Sequence, residues 1–417
     1  MDILKYFSNN TQPVDAKEAE SKIRNEFSSL LGANEHIELA FKCRGDGRYK
    51  NFFTSHRILI KVGKGIGQKR KHFFSIPYKS IKAFSVQTAG GSFLDKDTEL
   101  KVWYDGGSAL SPFTIDFVKD AVNLFEVQQY LNNKIFRPTQ TASSSSSPPL
   151  ITTNPITQAA TVGNVLDWMG SNAIQIDSKS IQGRFGFGAE SPILMSGEEV
   201  EIAYQTWRDL IILTPTRFLL VDVKGFSGKK IEFFSIRWKC VKAFSVETAG
   251  RFDWDGTFVL HTNLPELRHI RQDLREGKAD MFQIQMSFAN KLFGGKGTNA
   301  RIKGVDKKTG HVDPGAAFFG GFNNRPLDAA EVERVYRSNP SLLQNDEYVE
   351  MAFRGRRDLV IFTTKRIIDV DVKGLSGKEV NTTIPFFDEH WLRKKLEVEL
   401  VAANYLSLII YFSLLIS

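Results

Sequence analysis

One eighteen-residue segment occurs twice: FFSIPYKSIKAFSVQTAG (Phe73 to Gly90) returns as FFSIRWKCVKAFSVETAG (Phe233 to Gly250), with 13 of 18 positions identical at a constant spacing of 160. Repetition of that fidelity means that the chain is assembled from copies of one module, each folding to one plan. Upstream at the same spacing, RILIKVGKGIGQK from Arg57 matches RFLLVDVKGFSGKK from Arg217, and a third relative, RIIDVDVKGLSGKE, starts at Arg366. Each copy follows a related lead-in: LLGANEHIELAF from Leu30, ILMSGEEVEIAY from Ile193 and LLQNDEYVEMAF from Leu342. The third copy departs from the others after NTTIP, and its continuation FFDEHWLRKKLEVELVAANYLSLIIYFSLLIS resembles nothing in copies 1 or 2.

Within a copy, short runs rich in Val, Ile and Phe are broken by Gly-containing turns, the pattern of an antiparallel meander. In copy 2 the strands are expected near 199–205, 209–214, 217–223, 230–236 and 241–248. Copy 1 closes with Leu124, Val127, Leu131 and Ile135 along one helical face. The matching stretch of copy 2, MFQIQMSF from Met281, alternates like a strand. Alignment at a spacing of 157 pairs Phe125, Val127, Gln128 and Phe136 with Phe282, Ile284, Gln285 and Phe293, and so favours a helix burying Ile284, Phe288 and Leu292. Short helices are expected ahead of copies 1 and 3, over Ala16 to Leu31 and Leu327 to Arg337.

The run KGFSGKK, then SIR and KAFSVETAG, followed by the acidic FDWDG, resembles the bacterial pleckstrin homology (PH) domain family, as does its counterpart in copy 1 with SIP and FLDKD. The resemblance covers copies 1 and 2 nearly end to end and the first half of copy 3. It implies a mainly β fold of repeated PH-like barrels, each with about seven antiparallel strands and a C-terminal capping helix, ring-shaped homo-oligomers in some members, and no enzymatic activity. The expected organisation is a first PH-like domain with an N-terminal helix (1–136), a Ser/Pro-rich linker (137–190), a second domain (191–296), a Gly-rich linker (297–326), a truncated third domain (327–385) and a divergent apolar tail (386–417). The missing half of copy 3 is expected to leave an open, less stable sheet edge.

A hydrophobic content of 42% with 33 Phe provides for buried cores and excludes wholesale disorder. Two cysteines cannot build a disulfide scaffold or a thiolate zinc site, and the opening MDILKYFSNN has no apolar signal-peptide run, so a cytoplasmic location is expected. The 18 uncharged residues from Leu400 suit either a tail anchor after Arg393, Lys394 and Lys395 or a misread exon; the anchor is not the favoured reading. The seven His do not recur at equivalent positions and no HExxH or GxSxG constellation is present, so neither catalysis, nor a metal, nor a cofactor, nor a small-molecule substrate is expected.

Charge is distributed unevenly. The net charge is +8, but residues 47 to 94 hold ten Lys or Arg and no Asp or Glu, so that segment carries +10 and the remainder 8 − 10 = −2. Eight basic residues form the candidate anion-binding set: Lys42, Arg44, Arg48 and Lys50 around the GDG turn of the first hairpin, and Lys64, Lys69, Arg70 and Lys71 around the next turn. Eukaryotic PH domains that bind phosphoinositides use basic residues on the first hairpin, whose open end gathers several phosphate oxygens. The Gly-rich KGIGQK, KGFSGK and KGLSGK turns lie between strands and are therefore hairpin tips, not a Walker loop. Basic residues without interleaved exposed aromatics make nucleic acid an unlikely partner. Two functions follow as expectations: a non-catalytic PH-like adaptor engaging an anionic membrane surface through copy 1, or a structural protein that self-associates or meets protein partners through exposed strand edges.

Overall fold

The computed structural model describes residues 11–43, 49–64, 70–90, 98–105, 111–118, 121–137, 174–189, 191–206, 208–224, 230–247, 255–275, 281–294, 325–338, 342–354, 359–373 and 379–385. Repeat 1 opens with a short strand β1 (Thr11–Val14) and helix α1 (Ala16–Glu26). Asp15 starts the helix, its carboxylate accepting the Glu18 amide at 2.7 Å. A four-stranded meander follows: β2 (Ile37–Cys43), β3 (Tyr49–Thr54), β4 (Arg57–Lys64) and β5 (Arg70–Pro77). The second half is β6 (Ile81–Gln87), β7 (Thr98–Tyr104), β8 (Phe113–Phe117) and helix α2 (Leu124–Phe136).

Side-chain alternation divides the meander between two cores. Ala40, Phe52 and Leu59 bury one face against Ala19 and Ile23 of α1. Phe41, Phe53, Ile58 and Ile60 bury the other in the larger core with Phe84, Val102, Ile115 and Leu131. The two halves of repeat 1 meet through β1, which pairs antiparallel with β2 and parallel with β8.

Repeat 2 comprises β9 (Ile174–Ile176), α3 (Ser178–Phe185), β10 (Ile202–Gln205), β11 (Leu210–Leu213), β12 (Arg217–Lys224), β13 (Lys230–Arg237), β14 (Val241–Glu247), β15 (Asp255–Thr262), β16 (His269–Arg275) and α4 (Met281–Phe293). Repeat 3 contributes β17 (Arg325–Leu327), α5 (Ala329–Ser338), β18 (Val349–Arg354), β19 (Leu359–Thr363), β20 (Ile367–Lys373) and β21 (Glu379–Pro385). The strands form two open sheets, of order β5-β4-β3-β2-β1-β8-β7-β6-β13-β12-β11-β10-β9 and β16-β15-β14-β21-β20-β19-β18-β17.

The closed barrels expected from the resemblance are therefore not what forms. The edge of β6 does not close onto β5 of its own repeat; it pairs with β13 of repeat 2, Val86 opposite Phe233 and Phe84 opposite Ser235. In the same way β14 of repeat 2 takes β21 of repeat 3, Val246 opposite Thr382. The expectation of an open edge at the break in repeat 3 is corrected by this pairing, because β21 has β20 on one side and β14 on the other. The chain divides into two compact units, Met1–Gly170 with Gln175–Arg237, and Ser171–Ile174 with Trp238–Ser417, so the boundary at Arg237 falls inside the second sequence repeat.

Residues 281–293 are helical, with Ile284 and Phe288 buried and Leu292 half-buried, as the repeat alignment indicates over the local alternation. The stretch expected as a linker holds β9 and α3: Asp177 caps the helix by accepting the Ser180 amide, and Ile181 and Phe185, one turn apart, bury its inner face. The Gly-rich linker, apart from β17 at its end, and the apolar tail lie outside the described residues.

Candidate functional site

Each repeat is held by the same three side chains, one ahead of its first long strand and two flanking the turn between the next two. In repeat 1, Arg57 donates from Nε and Nη2 to the two oxygens of Glu35 at 2.8 and 2.9 Å, Thr54 donates to the same carboxylate at 2.7 Å, and Arg57 Nη2 also reaches the Leu30 carbonyl at 2.7 Å. Repeat 2 rebuilds this arrangement with Arg217, Glu198, Thr214 and the Ile193 carbonyl. Repeat 3 does so with Arg366, Glu347, Thr363 and the Leu342 carbonyl. The bidentate fork satisfies both carboxylate oxygens, which is what allows a charge pair to be buried.

The three locks differ in what covers them. Arg217 and Arg366 are fully buried, whereas the Arg57 side chain is 23% exposed. Repeat 1 supplies the cover for repeat 2: the Arg217 guanidinium lies 5.1 Å from the Phe136 ring centroid at the end of α2, Gln129 donates to the Leu194 carbonyl at 2.8 Å, and Phe125 meets Phe233 edge-on at 5.6 Å. Repeat 2 covers repeat 3 alike, with Arg366 5.5 Å from the Phe293 ring centroid and Gln344 donating to Asn290 at 2.9 Å. A junction thus joins strand to strand and clasps the next repeat's arginine beneath a helix. Glu232 of β13 adds charge to the first junction, accepting from Ser85 at 2.6 Å and from Lys101 at 3.5 Å.

On repeat 1 the corresponding surface is basic. Cross-strand pairing sets Lys42 beside Lys50 and Lys50 beside Lys61, and Lys71 stands one residue pair further along β5. Glu26 at the end of α1 neighbours Lys50, Lys61 and Lys71, and accepts from Lys61 at 2.8 Å. That hydrogen bond, aided by Lys61, Lys71 and Lys50 as nearby charges, holds the Glu26 carboxyl below its ordinary range. Burial, and then the charge of Lys61, lower the Lys50 ammonium. Lys61 also lies 4.7 Å above the Phe27 ring, with only its tip reaching out.

In repeat 2 the same register positions are Gln205, Leu210, Val221 and Ile231, all buried, and in repeat 3 they are Arg354, Leu359, Val370 and Val380. Copy 2 therefore differs from copy 1 by apolar residues at three of the four lysine positions and Gln205 at the fourth, and it also carries Asp209, Asp222 and Glu232 on these strands. Of the eight candidate residues, Lys42, Lys50 and Lys71 share this face. Arg70 is exposed on β5 with the opposite alternation, and Lys64 pairs with it across the turn. Arg44, Arg48 and Lys69 lie outside the described residues. Lys61, absent from the candidate set, joins the group because its position on β4 alternates onto the α1 face. The signal that finds it is the alignment of Lys61 with Val221 and Lys71 with Ile231 at the spacing of 160. Among the described residues no group of three or more His, Cys, Asp or Glu is placed to hold a metal, and no helix is long and apolar enough to cross a membrane.

Comparison with known proteins finds relatives of similar sequence. The chain is 36% identical over 124 residues to the uncharacterized protein YjqA of Bacillus subtilis, covering 30% of this chain and 94% of that protein. It is 36% identical over 70 residues to YozO of the same organism, covering 17% of this chain and 60% of that one. Among solved structures, a protein of the DUF1696 family with a pleckstrin-homology domain from Shewanella loihica shares 27% identity over 30% of this chain and 97% of its own, with a TM-score of 0.25. A pleckstrin homology domain from Shewanella amazonensis shares 30% identity over 28% of this chain and 89% of its own, with a TM-score of 0.23. The bacterial PH domain profile matches residues 6–135, 167–290 and 322–388, most of the chain and all three repeats, and the chain belongs to the bacterial PH domain family.

Proposed function

We propose that this protein is a non-catalytic adaptor whose working surface is the basic face of repeat 1. The observation that carries the reading is the row of Lys42, Lys50, Lys61 and Lys71, with Glu26 beside the last three, at register positions that are mainly apolar in the other two repeats. Four ammonium groups against one carboxylate attract an anionic partner, and lysines at an acidic bilayer contribute ~1 kcal/mol each. An acidic membrane surface is the partner this favours. Co-sedimentation of the full chain with vesicles containing phosphatidylserine tests it: binding rises with acidic lipid and falls with salt, and Lys50→Glu with Lys61→Glu abolishes it. Binding that ignores lipid charge would remove the reading.

A second reading, assembly through strand edges, is favoured by one specific feature. Among the described residues strand β5 ends its sheet, while its counterparts β13 and β21 each have a strand on both sides. Sedimentation velocity of the full chain, alone and with candidate partners, reads this directly.

A further inference from the structure

We infer that the outer edge of β5 accepts the C-terminal half of a PH-like module on a separate chain, one whose edge strand ends in a carboxylate. The inference rests on the assembly reading. Its template is internal: in this molecule the strand equivalent to β5 is twice paired by the strand equivalent to β6 of a neighbouring module, as β6 with β13 and as β14 with β21. Each time a helix of the donating module covers the lock arginine. Repeat 1 has the accepting half of that arrangement, complete with Arg57 and its partner Ser75 at 2.9 Å, the counterparts of Arg217 and Ser235 at 2.8 Å.

Burial separates the paired edge from the one that ends its sheet among the described residues. Ile231 through Ile236 of β13 are all buried, whereas Arg70, Lys71, His72, Ser75 and Pro77 of β5 are exposed. The Ile231 amide faces Thr88, next to β6, so by alternation the groups at 231, 233 and 235 address the incoming strand. Their counterparts on β5 are Lys71, Phe73 and Ser75.

A second copy of this chain cannot be the donor among the described residues. Strand β6 is already flanked by β7 and β13, and β14 by β15 and β21. Charge gives the donor its chemistry. Where β13 places Ile231 and Glu232, with Glu232 opposite Gln87 and accepting from Lys101, β5 places Lys71 and His72. A donor like β6 places neutral Gln87 there, and the nearby Glu99 of β7 is already engaged by Lys101 at 2.6 Å, so it offers Lys71 no free counter-charge. A strand with an acid at the Gln87 position, where β14 carries Glu247, does. A protein strand is favoured over a bilayer because only a strand satisfies the main-chain groups along this edge.

Two labelled peptides test the inference on the full chain: VKAFSVETAG (residues 241–250) and IKAFSVQTAG (residues 81–90). The chain alone is expected to sediment as a monomer and to bind the Glu peptide about tenfold more tightly than the Gln peptide at low salt. Lys71→Pro, which removes an outward amide, abolishes both. Lys71→Glu with His72→Glu, a surface change that leaves the edge amides in place, reverses the preference. Self-association of the chain that Lys71→Pro dissolves would keep the assembly reading and overturn the separate donor. Equal binding of the two peptides would overturn the acidic donor. Acidic vesicles bound without either peptide would assign the surface to a membrane, and a monomer binding nothing would make β5 a capped end; both outcomes end the inference.

Discussion

Arg217 donates from Nη1 to Oδ1 of Asn132, a residue of the preceding repeat, and by this bond completes the hydrogen bonding of a fully buried guanidinium. The second junction lacks that partner. Ala289 stands where repeat 1 has Asn132, Ile384 stands in the register place of Ser235, and Arg366 Nη1 is buried without an acceptor among the described residues.

A buried donor left unmet costs ~1–3 kcal/mol. Asn132→Ala is expected to destabilise the first unit by about 1 kcal/mol, Ser235 remaining as an acceptor, and Ala289→Asn to stabilise the second by a similar amount. Urea denaturation of the full chain, followed unit by unit through hydrogen exchange, reads both; equal loss in the two units would refute the assignment.

The repeated ion pair should weigh according to its cover. Removing one member of a fully buried pair strands its partner, at ~3–5 kcal/mol. Glu198→Ala is expected to reach that range, and Glu35→Ala to cost clearly less, because Arg57 keeps access to water. The measurement is the denaturation midpoint of the first unit in each variant.

Two groups contribute opposite ends of the acid response. Burial, then the neighbouring His269 at 2.9 Å, pull the His261 imidazole down to about 4 from 6.5, so the unfolded chain holds more protons between those values and stability falls as pH drops through that window. Burial opposes ionisation of Glu35, but hydrogen bonds from Arg57, Thr54 and the Gly32 amide outweigh it and hold the carboxyl at about 2. Its contribution is full above about 4.5 and is lost as pH falls through about 2. His261→Gln should flatten the upper limb at β15 and β16, and Glu35→Gln the lower limb at β2 to β4, in hydrogen exchange across pH.

Removing the one carboxylate within the lysine group should strengthen binding to acidic vesicles. Glu26→Gln is expected to raise affinity several-fold at low salt and to steepen the salt dependence, since Lys61 is then freed for the partner. An unchanged vesicle affinity would place the bilayer contact elsewhere.

The strands and the helix at Met281 were legible because alternation and the repeat report local geometry, and alignment decided where alternation misled. Closure was not legible. Whether β6 returns to β5 or reaches β13 depends on which of two similar partners wins an edge, and FSVQTAG and FSVETAG do not encode that choice within one copy. The basic set was legible as charge, but its grouping needed register: Lys61 joins Lys42 and Lys50 because three strands align, while Arg70 turns the other way. Helix α3 was overlooked because only Ile181 and Phe185 mark its inner face beside a Ser/Pro-rich stretch.

Because the compact units are out of phase with the sequence repeats, what is inherited and what folds are different pieces of chain. Duplication copies a whole repeat, but each new copy adds one accepting edge and one donating edge together. Growth by duplication therefore adds one joint per copy, each built as β6 with β13 and β14 with β21 are, so that the joint and not the repeat is the unit in which the fold extends.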